Sequence, residues 1–61
     1  GTSLIFNIGA AGKMVDLFIE DEFLFTSTSS KKGEVKVNKK SELGAKLLSA
    51  MDSGKKIYIK G

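Results

Sequence analysis

The sequence predicts a small, mainly β domain with one helix, in the order β-β-β-β-α-β, curled into a barrel or half-barrel. Three observations lead there. Apolar residues alternate with polar ones through much of the stretch from Ser3 to Asn38, the period of a half-buried strand. Only the stretch from Ser41 to Gly54 carries apolar residues at helical spacing between start and stop signals. With 61 residues, of which 41% are hydrophobic, the chain has room for one core and is read as one domain, 1–61. The opening Gly1-Thr2-Ser3 reads like a cloning remnant or a cut from a longer chain.

The elements follow in order. Leu4, Phe6 and Ile8 alternate with Ser3, Ile5 and Asn7 in a first strand, which Gly9-Ala10-Ala11-Gly12 breaks. In the second, Val15, Leu17 and Ile19 point one way and Asp16, Phe18 and Glu20 the other. Asp21-Glu22 is expected to turn the chain into a third strand, Phe23 to Thr26, making this hairpin the strongest local signal. Phe18 sits on the polar side, which calls for a second layer, a subunit or a ligand to cover it. Thr26 to Ser30, with Lys31-Lys32-Gly33 behind it, has the composition of a loop. Glu34-Val35-Lys36-Val37-Asn38 then alternates as a short fourth strand.

In the helix, Ser41 is the expected N-cap and Glu42 places negative charge in the first turn. Leu43, Leu47, Ala50 and Met51 make one apolar stripe, flanked by Leu48. Gly54 suits the left-handed position just past the helix, with Lys55-Lys56 near its negative end. Gly44 costs about 1 kcal/mol relative to Ala inside a helix, so a close approach to a neighbouring backbone is expected there. Ile57 and Ile59 face inward on a last strand, leaving Tyr58 outward. Proline is absent, so none of these strands is barred from a central position.

Composition narrows the chemistry. There is no His and no Cys, which excludes a Cys/His zinc site, a Cys nucleophile, a Ser-His-Asp triad and any disulfide. No enzymatic activity, metal or cofactor is expected. Apolar runs reach only three residues, as at Leu4 to Phe6, against the ~20 that span a bilayer, so no membrane span is expected. No basic-then-apolar leader stands at the start. At ~0.05–0.15 kcal/mol per residue the domain is stable by about 3–9 kcal/mol without staples, so self-association is expected.

Charge is lopsided. Residues 1–30 hold Lys13 against Asp16, Glu20, Asp21 and Glu22 (1 − 4 = −3), and residues 31–61 hold nine Lys against Glu34, Glu42 and Asp52 (9 − 3 = +6). Lys36 projects from the fourth strand between the pairs Lys31-Lys32 and Lys39-Lys40, a basic strip about 25 Å long at ~3.3 Å per residue. Such a strip tracks phosphates or an anionic surface, and it equally protects an exposed strand edge. Tyr58 is a candidate stacking ring, with Asn7 or Asn38 as hydrogen-bonding companions. Gly44, Leu47, Leu48, Met51 and Phe18 are the candidate subunit contacts. Gly9-Ala10-Ala11-Gly12-Lys13 lacks the leading Gly and trailing Ser or Thr of a Walker loop, with Asn7 and Met14 at those places, and reads as a hairpin connection. The carboxylates around the hairpin lack the alternate spacing and central Gly of a calcium loop and read as a solvated end.

Val15 to Thr26 (VDLFIEDEFLFT) and Ser41 to Lys60 (SELGAKLLSAMDSGKKIYIK) resemble the core of the OB-fold B subunits of bacterial AB-type pentameric toxins, the Shiga-type subunit above all. The shared pattern is a hairpin ending in Leu24-Phe25-Thr26, a helix with Leu47-Leu48-Ser49-Ala50, then Ser53-Gly54 and an alternating strand. The resemblance covers about half the chain; Ser27 to Lys40 lies outside it, the family's disulfide cannot form, and no Trp is available to stack on a sugar. It implies an OB-like barrel and ring assembly through the helix, and it carries over no binding residue. A secreted or envelope setting is favoured over a cytoplasmic one.

Three functions follow as expectations. The first is a homo-oligomeric binding module that recognises a glycan or another cell-surface ligand. The second is a small nucleic-acid-binding or regulatory protein that uses the Lys strip. The third is a structural fragment of a larger protein.

Overall fold

The computed structural model describes residues 1–61 and has the expected element order: β1 (Ser3–Asn7), β2 (Met14–Ile19), β3 (Glu22–Thr28), β4 (Glu34–Asn38), α1 (Glu42–Asp52) and β5 (Ile57–Lys60). β1 pairs antiparallel with β4, and β2 lies antiparallel between β3 and β5. The two sheets stay separate and do not close into a barrel. No helix is long and apolar enough to cross a membrane.

Alternation decides which face goes inside. In the two-stranded sheet Leu4 lies opposite Val37 and Phe6 opposite Val35. Val15 and Leu17 of β2 meet Val35 and Val37 in the core, and Leu47 of α1 completes it; Leu17 and Leu47 are fully enclosed. Each such side chain stabilises the fold by about 1.5–3 kcal/mol, so this cluster is the main source of cohesion in a chain with no cross-links.

The β2–β3 hairpin departs from the sequence reading in two ways. The two-residue turn is Glu20-Asp21 rather than Asp21-Glu22, with Ile19 opposite Glu22 and Glu20 at a φ of 54°. Two-residue hairpin turns need positive φ in their first central residue, because that twist matches the flanking strands. β3 also carries a bulge, for Leu17 pairs with Phe25 but Phe18 pairs with Phe23. Leu24 is therefore extra, and both Leu24 and Phe25 reach the core, while Phe23 stands outward.

β3 also runs on to Thr28, through residues read from sequence as loop. Nor is the Gly9–Lys13 connection a hairpin: β1 and β2 belong to different sheets, and the segment crosses between them. It is pinned from below. The buried Ser29 hydroxyl donates to the Ala10 carbonyl and accepts from the Lys13 N–H at 2.9 Å, while the Gly12 N–H donates to the Ser29 carbonyl.

Helix α1 begins and ends as the sequence dictates. The Ser41 hydroxyl accepts from the Gly44 N–H at 3.0 Å, satisfying one of the free donors of the first turn. At the other end the Lys55 N–H reaches the Ala50 carbonyl and the Gly54 N–H the Met51 carbonyl, a Schellman motif with Gly54 at a φ of 78°. The buried stripe is Gly44, Leu47 and Ala50 rather than the wider set expected. Met51 and Leu48 lie outside it, 41% and 38% exposed.

The close approach expected at Gly44 occurs within the chain. A Cβ at that position would lie 1.9 Å from the Asn38 carbonyl oxygen, so the first helical turn rests directly on the backbone at the end of β4. Gly44 and Leu47, read from sequence as subunit contacts, are thus closed off by their own chain, and a helix–helix seam through them is not available in this fold.

Candidate nucleic-acid interface

Two outward surfaces gather the polar and aromatic residues of interest, one on each sheet. On the outer side of the β1–β4 sheet, Lys36 pairs with Ile5, Ser3 with Asn38 and Asn7 with Glu34. Lys36 is exposed and Ile5 is 56% exposed, so an aliphatic side chain and an ammonium share the middle of this face. Lys31 and Lys32 lie in the turn at one end, exposed, and Lys39 and Lys40 in the turn at the other. The two Lys pairs thus flank the strand that carries Lys36, and Glu34 is the one carboxylate on the two strands.

Asn38 belongs to the framework of this surface and not to its reactive groups. Its Oδ1 accepts from the Lys40 N–H at 2.8 Å, and its carbonyl oxygen accepts from both the N–H and the hydroxyl of Ser41. The Lys39 N–H donates to the Thr2 carbonyl. Asn38 therefore fixes the turn that presents Lys39 and Lys40, a role its position just before a helix cap fits.

The second surface is the outer side of the β3-β2-β5 sheet. Phe18 pairs with Phe23 on one side and Tyr58 on the other. The two phenyl rings meet edge to face, centroids 5.7 Å apart. Lys60 Nζ lies over the Phe18 ring, 5.1 Å from its centroid. Phe18, Tyr58, Lys60, Glu20 and Asp21 line a cavity of about 370 Å³. Glu20 is held in place: its Oε2 accepts from the Lys56 N–H at 3.0 Å and its own N–H donates to the Lys56 carbonyl.

Tyr58 and the Lys strip, grouped from sequence as one ligand site, thus lie on different sheets. Tyr58 instead joins Phe18, the residue whose position on a polar face already looked out of place. Phe23 and Lys60 carry no site signal in the sequence, and Glu20 and Asp21 read there as part of a solvated carboxylate cluster. The bulge hides Phe23, because strict alternation would put it on the same side as Phe25; the carboxylates read as an ordinary hairpin end.

In the Gly9–Gly12 loop the N–H groups of Gly9, Gly12 and Lys13 donate to the Gly33 carbonyl, the Ser29 carbonyl and the Ser29 hydroxyl, so three of its donors are engaged within the chain.

No family model matches the chain, and no solved structure matches it. Among curated proteins, the chain is 37% identical over 49 residues to an uncharacterized KH and PIN-domain containing protein of Methanocaldococcus jannaschii. That similarity takes in 80% of this chain and 8% of the archaeal protein, so the chain spans less than a tenth of the length of the relative it matches.

Proposed function

We propose that this domain is a non-enzymatic nucleic-acid-binding module that grips the phosphate backbone with Lys31, Lys32, Lys36, Lys39 and Lys40. The observation that carries the reading is an exposed two-stranded face with Lys36 at its middle, a Lys pair in the turn at each end and Glu34 as the one carboxylate on its strands. Phosphate contacts supply most of the affinity in such complexes and need reach and charge rather than a shaped pocket. Protection of a strand edge accounts for Lys36, but the two flanking pairs lie in turns, where no edge needs protecting.

The similarity is to 8% of a protein whose name includes a KH domain, and KH domains are RNA-recognition modules, which lends the same reading support at the level of that name. A KH domain clamps the backbone with a Gly-x-x-Gly loop. Gly9-Ala10-Ala11-Gly12 has that spelling, but its two glycine N–H groups are engaged within the chain, so the reading rests on the Lys face. Ring assembly around a glycan, the first expectation from sequence, loses Gly44 and Leu47 as contact residues and rests on Leu48, Met51 and Phe18 alone.

The test is fluorescence anisotropy with labelled single-stranded RNA and DNA across a salt series. Five phosphate contacts predict a slope of log K against log salt near −3.5, from about 0.7 per contact for single strands. The variant Lys31→Ala/Lys32→Ala/Lys36→Ala should flatten that slope by about 2 (three contacts at ~0.7 each) and weaken all sequences alike. Absence of binding at low salt, or binding indifferent to salt, sinks the reading.

A further inference from the structure

We propose that the outer face of the three-stranded sheet receives one unstacked nucleobase bearing an exocyclic amino group. The base lies against Phe18 and Tyr58, its amino edge toward Glu20 and Asp21 and its phosphate toward Lys60. This assignment rests on the nucleic-acid reading above and names what a second surface adds to it.

The order of groups along β2 carries the argument. Lys60 sits at the register of Asp16, Tyr58 at that of Phe18, and the turn Glu20-Asp21 follows Ile19. Cation, aromatic pair and carboxylates therefore succeed one another at two-residue steps, about 7 Å each at ~3.4 Å per residue. A nucleotide has the same sequence of chemistries: an anion, a sugar, and a flat ring system with its donor groups at the far edge. The reverse orientation would set a phosphate against two carboxylates and is repelled.

Each group is available for this use. Asp16, opposite Lys60, accepts from the Thr26 hydroxyl at 2.6 Å through one oxygen and keeps its charge, while the Lys60 ammonium lies over the Phe18 ring. The Lys56 N–H holds Glu20 by one oxygen and leaves the other for a ligand donor. Phe23 supports the Phe18 ring edge to face, so the phenyl plane is set before a ligand arrives. Lys60 covers that plane in the free protein and moves aside as it turns to the phosphate. A cavity of about 370 Å³ is at the small end of ligand sites and takes a single base, not a run of bases.

Two carboxylates also select. They accept hydrogen bonds and cannot donate them. Cytosine and adenine offer amino hydrogens at N4 and N6, and guanine offers them at N2; uracil flanks its one ring N–H with two carbonyl oxygens, which the carboxylates repel.

Tyr58 is the one Tyr and there is no Trp, so tyrosine emission reports this face alone. CMP and AMP are expected to quench it, with UMP at least about fivefold weaker, the low end of what one good base-edge pairing discriminates. Phe18→Leu should abolish the quenching by removing the stacking plane. Glu20→Gln with Asp21→Asn should keep the quenching and erase the preference over UMP, and neither change touches the buried core. Silence of Tyr58 toward all three nucleotides, or equal quenching by UMP in the native chain, overturns the proposal. So does quenching by a neutral oligosaccharide with none by CMP, which would give the face to a sugar. The Lys31→Ala/Lys32→Ala/Lys36→Ala variant should retain CMP quenching. Salt-dependent oligonucleotide binding with Tyr58 silent defeats this proposal and leaves the Lys face standing; CMP quenching without oligonucleotide binding does the opposite.

Discussion

Replacing Gly44 by Ala offers the sharpest test of how the helix is seated. In a solvent-facing helix the change would stabilise by about 1 kcal/mol. Here the added methyl would stand 1.9 Å from the Asn38 carbonyl oxygen, 2.8 Å from its carbon and 2.9 Å from Lys39 Cα, all backbone atoms with no rotamer to yield. Restoring an ordinary carbon–oxygen separation of about 3.4 Å needs a shift near 1.5 Å (3.4 − 1.9), large against the tolerances of a close-packed interior. Moving Asn38 breaks both hydrogen bonds it receives from Ser41 and with them the helix cap, about 0.5–2 kcal/mol. Moving the helix instead draws Leu47 and Ala50 out of the core and opens a void. Overpacking of this kind costs about 1–3 kcal/mol before the cap is counted. Set against the helix-propensity gain of about 1 kcal/mol, a net loss of up to about 4 kcal/mol is expected, a large share of the stability of a chain this short. Urea unfolding followed by circular dichroism, with Ala45→Gly on the exposed side as control, measures it. A Gly44→Ala protein as stable as the native one would mean that the helix does not rest on the end of β4, and the account of Gly44 would fail.

Two further expectations concern stability and assembly. Ser29→Ala should cost about 1–3 kcal/mol, because the Lys13 N–H and the Ala10 carbonyl both lose a partner; a melting-temperature change under about 2 °C, or unaltered amide exchange at Lys13, would contradict the pinned crossing. Leu48→Asp should lower stability by about 1–2 kcal/mol, the share lost with the buried part of a side chain that is 38% exposed, while dispersing any assembly that uses this side of the helix; sedimentation velocity and circular dichroism separate dispersal from unfolding, and unfolding would put Leu48 in the core.

The features legible in the sequence are the local ones. The Ser41 cap, the Gly54 stop and the β2–β3 hairpin are specified by residues within a few positions of one another, so their spelling and their physics coincide. The pairing of β1 with β4, by contrast, depends on which apolar faces meet across the core, and nothing near Leu4 names Val37 as its partner. The Thr26-Ser27-Thr28 segment has loop composition, yet Met14, Val15 and Asp16 supply a strand for it to pair with, so tertiary context prevails. Of the candidate site, the Lys strip was readable because Lys36 and its flanking pairs belong to one stretch. The aromatic face was not, for it joins β2, β3 and β5 and depends on a bulge at Leu24 that reverses where Phe23 points.

The distant pairing of the first strand has a consequence for how the molecule forms. On the ribosome Leu4 and Phe6 emerge early, but Val37 and Val35 do not exist until most of the chain has been made. The hairpin can close as soon as Thr28 appears, and the helix once Gly54 has emerged to cap it. The first strand must wait, its oily side chains bare, until β4 has followed the hairpin, and this long-range pairing is expected to be slower than closure of the hairpin.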